Sequence, residues 1–89
     1  MKSHTTPDFW DLFDELPENI QHRAHKAYRL WRTNPLMGGL RFKRVSSNEP
    51  IYSVRIGRDY RALGLLEGET MYWFFIGKHD DYDRILKNF

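Results

Sequence analysis

The 89-residue sequence contains no cysteine, which excludes both a disulfide framework and a thiolate zinc site. It has no run of about 18 apolar residues, so no segment reads as a membrane-spanning helix. The first residues, Met1-Lys2-Ser3-His4-Thr5-Thr6-Pro7, lack the apolar core of a secretion signal, and a cytoplasmic protein is expected. Repeats, low-complexity tracts and linkers are also missing. A length of 89 residues therefore makes a single domain, 1–89, whose core is only marginally sufficient. Aromatic residues compensate, since three Trp, five Tyr and six Phe bury large areas from few positions.

The net charge of +2 conceals a segregated distribution. Residues 1–19 sum to −4, residues 20–34 to +4, residues 35–61 to +4 and the remainder to −2. A basic middle between acidic ends suits a polyanion or an acidic partner, with a solvated mixed-charge face as the competing reading.

The first half of the chain reads helical. Phe9, Leu12, Phe13 and Leu16 recur at helical spacing after a Thr5 or Thr6 cap and Pro7 in the first turn. Pro17 opens a second helix whose apolar stripe is Ile20, Ala24, Ala27 and Trp31. Asn34-Pro35 ends it, because the residue before proline is pushed out of the helical region. The junction Leu16-Pro17 makes the pair a tight hairpin.

The second half reads as strands. Leu40-Arg41-Phe42-Lys43 alternates with period two after Gly38-Gly39, and Ile51–Ile56, Tyr60–Leu66 and Met71–Ile76 follow, separated by Gly57-Arg58-Asp59 and Glu67-Gly68-Glu69. Tyr72-Trp73-Phe74-Phe75 suits a buried central strand, and Asp80 to Phe89 a short closing helix with Tyr82, Ile85 and Leu86. Helices first and an antiparallel meander second give an α+β domain of two layers.

Chemistry first appears in the hairpin. A three-residue loop at 57–59 sets Ile56 against Tyr60, Val54 against Ala62 and Tyr52 against Gly64 on an apolar face. Arg55 then faces Arg61 on the other side, beside Ser53 and Leu63. A two-residue loop would slip the register by one and carry Arg61 to the apolar side, which is costly. Like charges directly opposite destabilise by a few tenths to about 1 kcal/mol, so this face seeks an anion or, failing that, splays its arginines into water. His22 and His25 lie off the apolar stripe among Arg23, Lys26 and Arg29, with no carboxylate beside them, and no metal site is expected there. Trp10 and Trp31 read as core or interface residues.

Several short motifs in fixed order carry a resemblance. Leu16-Pro17, Asn34-Pro35 leading to Leu40-Arg41-Phe42-Lys43, Tyr52-Ser53-Val54-Arg55-Ile56 with Tyr60-Arg61-Ala62, and Phe75-Ile76-Gly77-Lys78-His79 with Tyr82 together resemble toxins of the RelE/ParE superfamily. The resemblance runs from about Thr5 to Leu86. It implies a RelE/ParE-like α+β fold, with an N-terminal helical hairpin packed on a four-stranded antiparallel sheet and a short C-terminal helix. Such proteins also have an N-terminal strand, for which only the polar Lys2–Thr6 is available here.

The resemblance further implies a toxin neutralised by a cognate antitoxin protein, in assemblies that are commonly toxin–antitoxin heterotetramers. The RelE-like branch cuts mRNA on the ribosome without metal or other cofactor, whereas the ParE-like branch inhibits DNA gyrase. A catalytically inactive, antitoxin-binding relative is the remaining alternative. Arg55 falls where the RNase members carry a basic strand residue, and Arg61 matches the arginine of their Tyr-Arg pair. His79, after Gly-Lys, falls where some members have arginine and others histidine, and Tyr82 matches a C-terminal tyrosine more loosely. Ser53 departs from the pattern, standing where RNase members often have lysine.

These residue types fit metal-free RNA cleavage, in which a base takes the 2′-OH proton and an acid protonates the leaving 5′-oxygen. The resemblance thus implies phosphate and transition-state stabilisation by Arg55 and Arg61, acid or base work by His79, and positioning or stacking by Tyr82. Lys43, Arg44 and Lys78 would extend the RNA track. Structural alternatives are that His79 caps the last helix and that Tyr82 belongs to the core.

Overall fold

Thr6 begins the first helix as its sequence suggests, its Oγ1 accepting the Phe9 backbone N–H ahead of α1 (Pro7–Asp14). The computed structural model describes every residue from Met1 to Phe89. After the short connection through Pro17, α2 (Glu18–Thr33) buries Ile20, Ala24, Ala27 and Trp31, the stripe read from their spacing. Asn34 caps it with extended backbone, as expected for a residue before proline. Although the connection is tight, the helices diverge. α1 packs mainly on β5 (Thr70–Lys78) and α2 on β3 (Ile51–Gly57). Between them lies a cavity of about 340 Å³, lined by Phe9, Trp10, Phe13, Ala27 and Tyr28 over a floor that includes Val54.

The sheet has five strands in the order β1-β5-β4-β3-β2 and is mixed, where four antiparallel strands were expected. The additional strand is β1 (Lys2–Thr5), which pairs in parallel with β5 from Lys2↔Thr70 to Thr5↔Trp73. A polar edge strand gives no hydrophobic alternation, so only the backbone ladder reveals it. The expected strand at Leu40–Lys43 is also revised. Gly38–Leu40 forms a 3-10 turn, Arg41 takes a left-handed conformation at φ 48°, and only Lys43–Arg44 form β2. Leu40 is buried by this turn in the main core, which is why its apolarity mimicked a strand position.

β4 (Tyr60–Glu67) sits between β3 and β5, and its register with β3 is the one expected at Tyr52↔Gly64, Ser53↔Leu63, Val54↔Ala62 and Arg55↔Arg61. The turn differs. Gly57 pairs with Tyr60, leaving a two-residue loop of Arg58 and Asp59, and the extra residue Ile56 is absorbed as a bulge. The bulge cancels the slip that a two-residue loop would otherwise impose, and Ile56 still packs against the main core.

A third layer replaces the expected two. The main core places Val54, Ala62, Met71, Trp73 and Ile76 beneath the two helices, with Trp31 and Trp73 edge to face at 5.2 Å between ring centroids. The opposite sheet face carries a smaller cluster in which Ile51, Leu63 and Phe75 meet Tyr82 of α3 (His79–Leu86). A second bulge opposes Leu63↔Phe75 and Gly64↔Trp73, leaving Phe74 as the extra residue, against the terminal Phe89 ring. Helix α3 therefore covers the sheet face that bears the paired arginines.

Candidate functional site

Arg55 on β3 pairs with Arg61 on β4, and Arg61 pairs with Gly77 on β5, so one row crosses the sheet as Arg55, Arg61, Gly77. The row lies at the end of the β3–β4 hairpin, one step beyond Ser53, Leu63 and Phe75 on the same face. Both guanidinium groups curl toward the turn. Arg61 Nη1 donates to the carbonyls of Gly57 and Tyr60, each at 2.9 Å, and to that of Arg58 at 3.4 Å. Arg55 Nε donates to the same Gly57 carbonyl at 3.4 Å. Carbonyl dipoles thus offset part of the like-charge repulsion, alongside any anion or water that reaches this face. They bring no net charge, however. The three ion pairs of the structure are Glu18–His22, Asp83–His79 and Asp81–Arg84, and none reaches either arginine. Most of the guanidinium donors remain unengaged.

His79 reaches this end of the sheet through the backbone. As the first residue of α3 its N–H donates to the Asp59 carbonyl at 2.8 Å, tying the helix start to the hairpin tip. Its Nδ1 lies 3.2 Å from Asp83 Oδ2, one helical turn on. A carboxylate at Nδ1 favours the tautomer that leaves Nε2 available to take a proton, or to give one once charged. Asp83 was not among the residues singled out from sequence, although the i,i+4 spacing from His79 was visible there.

The other candidates divide. Tyr82 is 8% exposed, packed with Ile51, Leu63 and Phe75, its ring centroid 5.3 Å from that of His79. It therefore sits beneath the imidazole, as a core residue that abuts the site. Lys43 pairs with Ser53 and shares its face with Arg55 and Arg61, one strand outward. Arg44 pairs with Tyr52 on the opposite face, its Nε donating to the Ser46 carbonyl. Lys78 pairs with Tyr60 and likewise falls on the other face, beside the α1–α2 connection. Ser53 is 3% exposed, so this position supplies no cation and no open polar group. His22 pairs with Glu18, while the His25 ring lies 5.2 Å from that of Phe13, so the two histidines of α2 serve different neighbours.

One cation at the hairpin gave no signal in the sequence. Arg23 of α2 approaches Gly57 from the helix side, with its Nη1 3.1 Å from where a Cβ on Gly57 would stand. Together the geometry offers two guanidinium groups on one side of the hairpin end, a third on the other, and an imidazole fixed to the tip. Such an arrangement can bind a phosphate and place a proton-transfer group beside it.

Residues 18–84 match the family model of the ParE-like toxin domain. Curated protein sequences contain no significant match. Solved structures with the same fold include the RelB–RelE antitoxin–toxin complex from Methanococcus jannaschii, at TM-score 0.73 and 20% identity, covering 90% of this chain and 95% of that one. YafQ from E. coli strain BL21(DE3) gives TM-score 0.73 at 12% identity, covering 91% and 96%. The heterotetrameric YoeB–YefM toxin–antitoxin complex from Staphylococcus aureus gives 0.67 at 14%, covering 89% and 97%.

Proposed function

The chain belongs to the family of ParE-like toxin domains, toxins of toxin–antitoxin systems, and from that premise we propose that it is a metal-independent endoribonuclease acting on mRNA at the ribosome. The observation that carries the reading is the juxtaposition of Arg55 and Arg61 with His79, whose backbone is bonded to the tip of the same hairpin. In the proposed reaction an RNA phosphate takes up the free guanidinium donors. The 2′-OH loses its proton to a base and attacks the adjacent phosphorus, the P–O5′ bond breaks, and an acid protonates the leaving 5′-oxygen. The products are a 2′,3′-cyclic phosphate and a 5′-hydroxyl. His79 Nε2 serves one of the two proton transfers, and the arginines take the charge that builds on the phosphate oxygens. Tyr82 supports the imidazole from below, and Lys43 extends the contact to a neighbouring phosphate. The chain requires no cofactor and no membrane in this reading, and acts in the cytoplasm.

The proposed protein partner is a cognate antitoxin. Two of the three structures named above are toxins bound to antitoxins, and one of those is a heterotetramer, the assembly proposed here also. A second reading, inhibition of DNA gyrase by binding without RNA cleavage, is favoured by one observation: Ser53 puts a buried hydroxyl-bearing side chain where a second strand cation would serve catalysis. Ribosomes programmed with a defined message separate the two. Under the first reading the protein cuts the message, and His79→Ala lowers cutting by about 10²–10⁴-fold. Arg61→Ala lowers it by about 10²–10³-fold. Gyrase inhibition with an intact message would select the second reading, and undiminished cutting by both variants would refute the site assignment.

A further inference from the structure

Gly57 is approached by three arginines from two sides. Its carbonyl accepts from Arg55 Nε and Arg61 Nη1, which belong to the α3 face of the sheet. On the helix side Arg23 lies so close that a Cβ on Gly57 would stand 3.1 Å from Nη1 and 3.7 Å from Cδ. Gly57 leaves room for the guanidinium here, where a methyl group would make it give by a few tenths of an ångström. Arg23 is exposed and enters no ion pair, and the Asp59 carboxylate at the tip pairs with none of the arginines. Positive charge is thus left unmatched on both sides of one backbone position.

A single phosphate cannot occupy both sides of a strand. A chain of phosphates can. We infer that Arg23 is a nucleic-acid contact: the strand that places one phosphate at Arg55 and Arg61 bends around the end of the β3–β4 hairpin and places a neighbouring phosphate at Arg23. This inference rests on the nucleic-acid reading above and adds to it the path of the substrate, which runs from the sheet face to helix α2 across Gly57. Arg23 is a binding residue in this account and touches no reacting atom.

Binding of a labelled single-stranded 2′-O-methyl oligoribonucleotide, which cannot be cut by 2′-OH attack, tests the path when measured against salt concentration. Each phosphate contact to a single strand contributes about 0.7 to the slope of log K against log[salt], which is about a five-fold affinity change at 0.1 M salt. Arg23→Gln is expected to reduce the slope by that amount, and Arg61→Gln likewise. Arg23→Lys should retain the slope, because a point charge suffices for a phosphate. Arg32→Gln removes the same charge about 14 Å along α2, at about 1.5 Å per residue, and should leave the slope unchanged. Gly57→Ala should leave the slope close to that of the unaltered protein, since the flexible end of Arg23 need give by only a few tenths of an ångström to admit the methyl group and keeps its charge. A wild-type slope in Arg23→Gln with a reduced one in Arg61→Gln would overturn the inference and leave the nucleic-acid reading standing. Weakened binding in both Arg23 variants at an unchanged slope would overturn it in favour of a packing role. No measurable binding by the unaltered protein would overturn the inference and leave the nucleic-acid reading to the programmed-ribosome assay.

Discussion

Gly77 stands beside Arg61 in the candidate site, and Gly77→Ala should destabilise the protein through a residue that is not itself catalytic. A Cβ there would lie 2.9 Å from Phe75 Cζ and 3.3 Å from Cε1. Both distances fall inside the ~3.5 Å at which carbon atoms attract best. The Phe75 ring cannot swing into water, since it is held between Ile51, Leu63 and Tyr82 in the smaller core. Overpacking of this kind costs about 1–3 kcal/mol. Gly77 has no left-handed backbone, so alanine introduces no φ strain and restricts the unfolded chain, which returns about 0.4–1 kcal/mol. The clash wins, with a net loss of about 1–2 kcal/mol. For a domain of this size that lowers the midpoint of thermal unfolding by about 4–16 °C, measurable by circular dichroism. Trimming the obstructing ring should relieve the strain, so Phe75→Leu should cost less in the Gly77→Ala background than alone, with a coupling of about 0.5 kcal/mol or more. An unchanged or raised midpoint in Gly77→Ala, or strictly additive effects in the pair, would refute the account. Under the proposed function the same displacement should also reduce RNA cleavage, because Tyr82 packs with Phe75 and abuts the His79 imidazole, and a shift of about 1 Å at a reacting group can cost 10²-fold.

Other substitutions probe separate parts of the structure. Leu63→Ala empties a site that is 0% exposed between the sheet and α3 and should cost about 3–5 kcal/mol in urea unfolding, a large share of the total for so small a domain. Thr6→Ala removes one of the two acceptors of the Phe9 N–H, the Thr6 carbonyl at 3.1 Å remaining, and should cost about 0.5–1 kcal/mol by the same measurement. Gly68→Ala forces a methyl group onto a residue at φ 59° in the β4–β5 turn, with an expected loss of about 1–2 kcal/mol; unchanged stability would mean that the turn relaxes to another type. Asp83→Ala frees the His79 ring, and since that pair is open to solvent, message cleavage under the proposed function should fall about 10-fold or less, well short of the effect expected of His79→Ala.

The α+β organisation and the Arg55–Arg61 facing were legible because burial imposes a period: α2 repeats its apolar residues at helical spacing, and β3 and β4 alternate. Where burial imposes no period, the sequence is silent. β1 is polar and exposed along one edge, so nothing in Lys2–Thr5 announces a strand, and the partner that creates it lies almost 70 residues away. Leu40 carries the apolarity of a strand residue but is buried by a turn, and the left-handed Arg41 beside it follows no residue preference that could have been read in advance. The bulge at Ile56 was hidden for a different reason, since a three-residue loop and a two-residue loop with a bulge give the same facing of the arginines. Within the site, the cluster at His79 could be anticipated only by resemblance, and Arg23 not at all, because its approach to Gly57 depends on how α2 lies across β3.

The parallel pairing of β1 with β5 has a bearing on when the fold closes. Residues 2–5 leave the ribosome well before the strand that completes their hydrogen bonds, which spans Thr70–Lys78. At about 5–20 residues per second, the first strand waits roughly 3–14 s for its partner. The hairpin tip likewise waits for His79 before its Asp59 carbonyl is satisfied. The edge of the sheet and the proposed proton-transfer group therefore arrive together, after the arginine hairpin. A nascent chain interrupted before residue 70 would carry the arginine hairpin but neither the closing strand nor the His79 imidazole, and so could complete neither the sheet nor the candidate site.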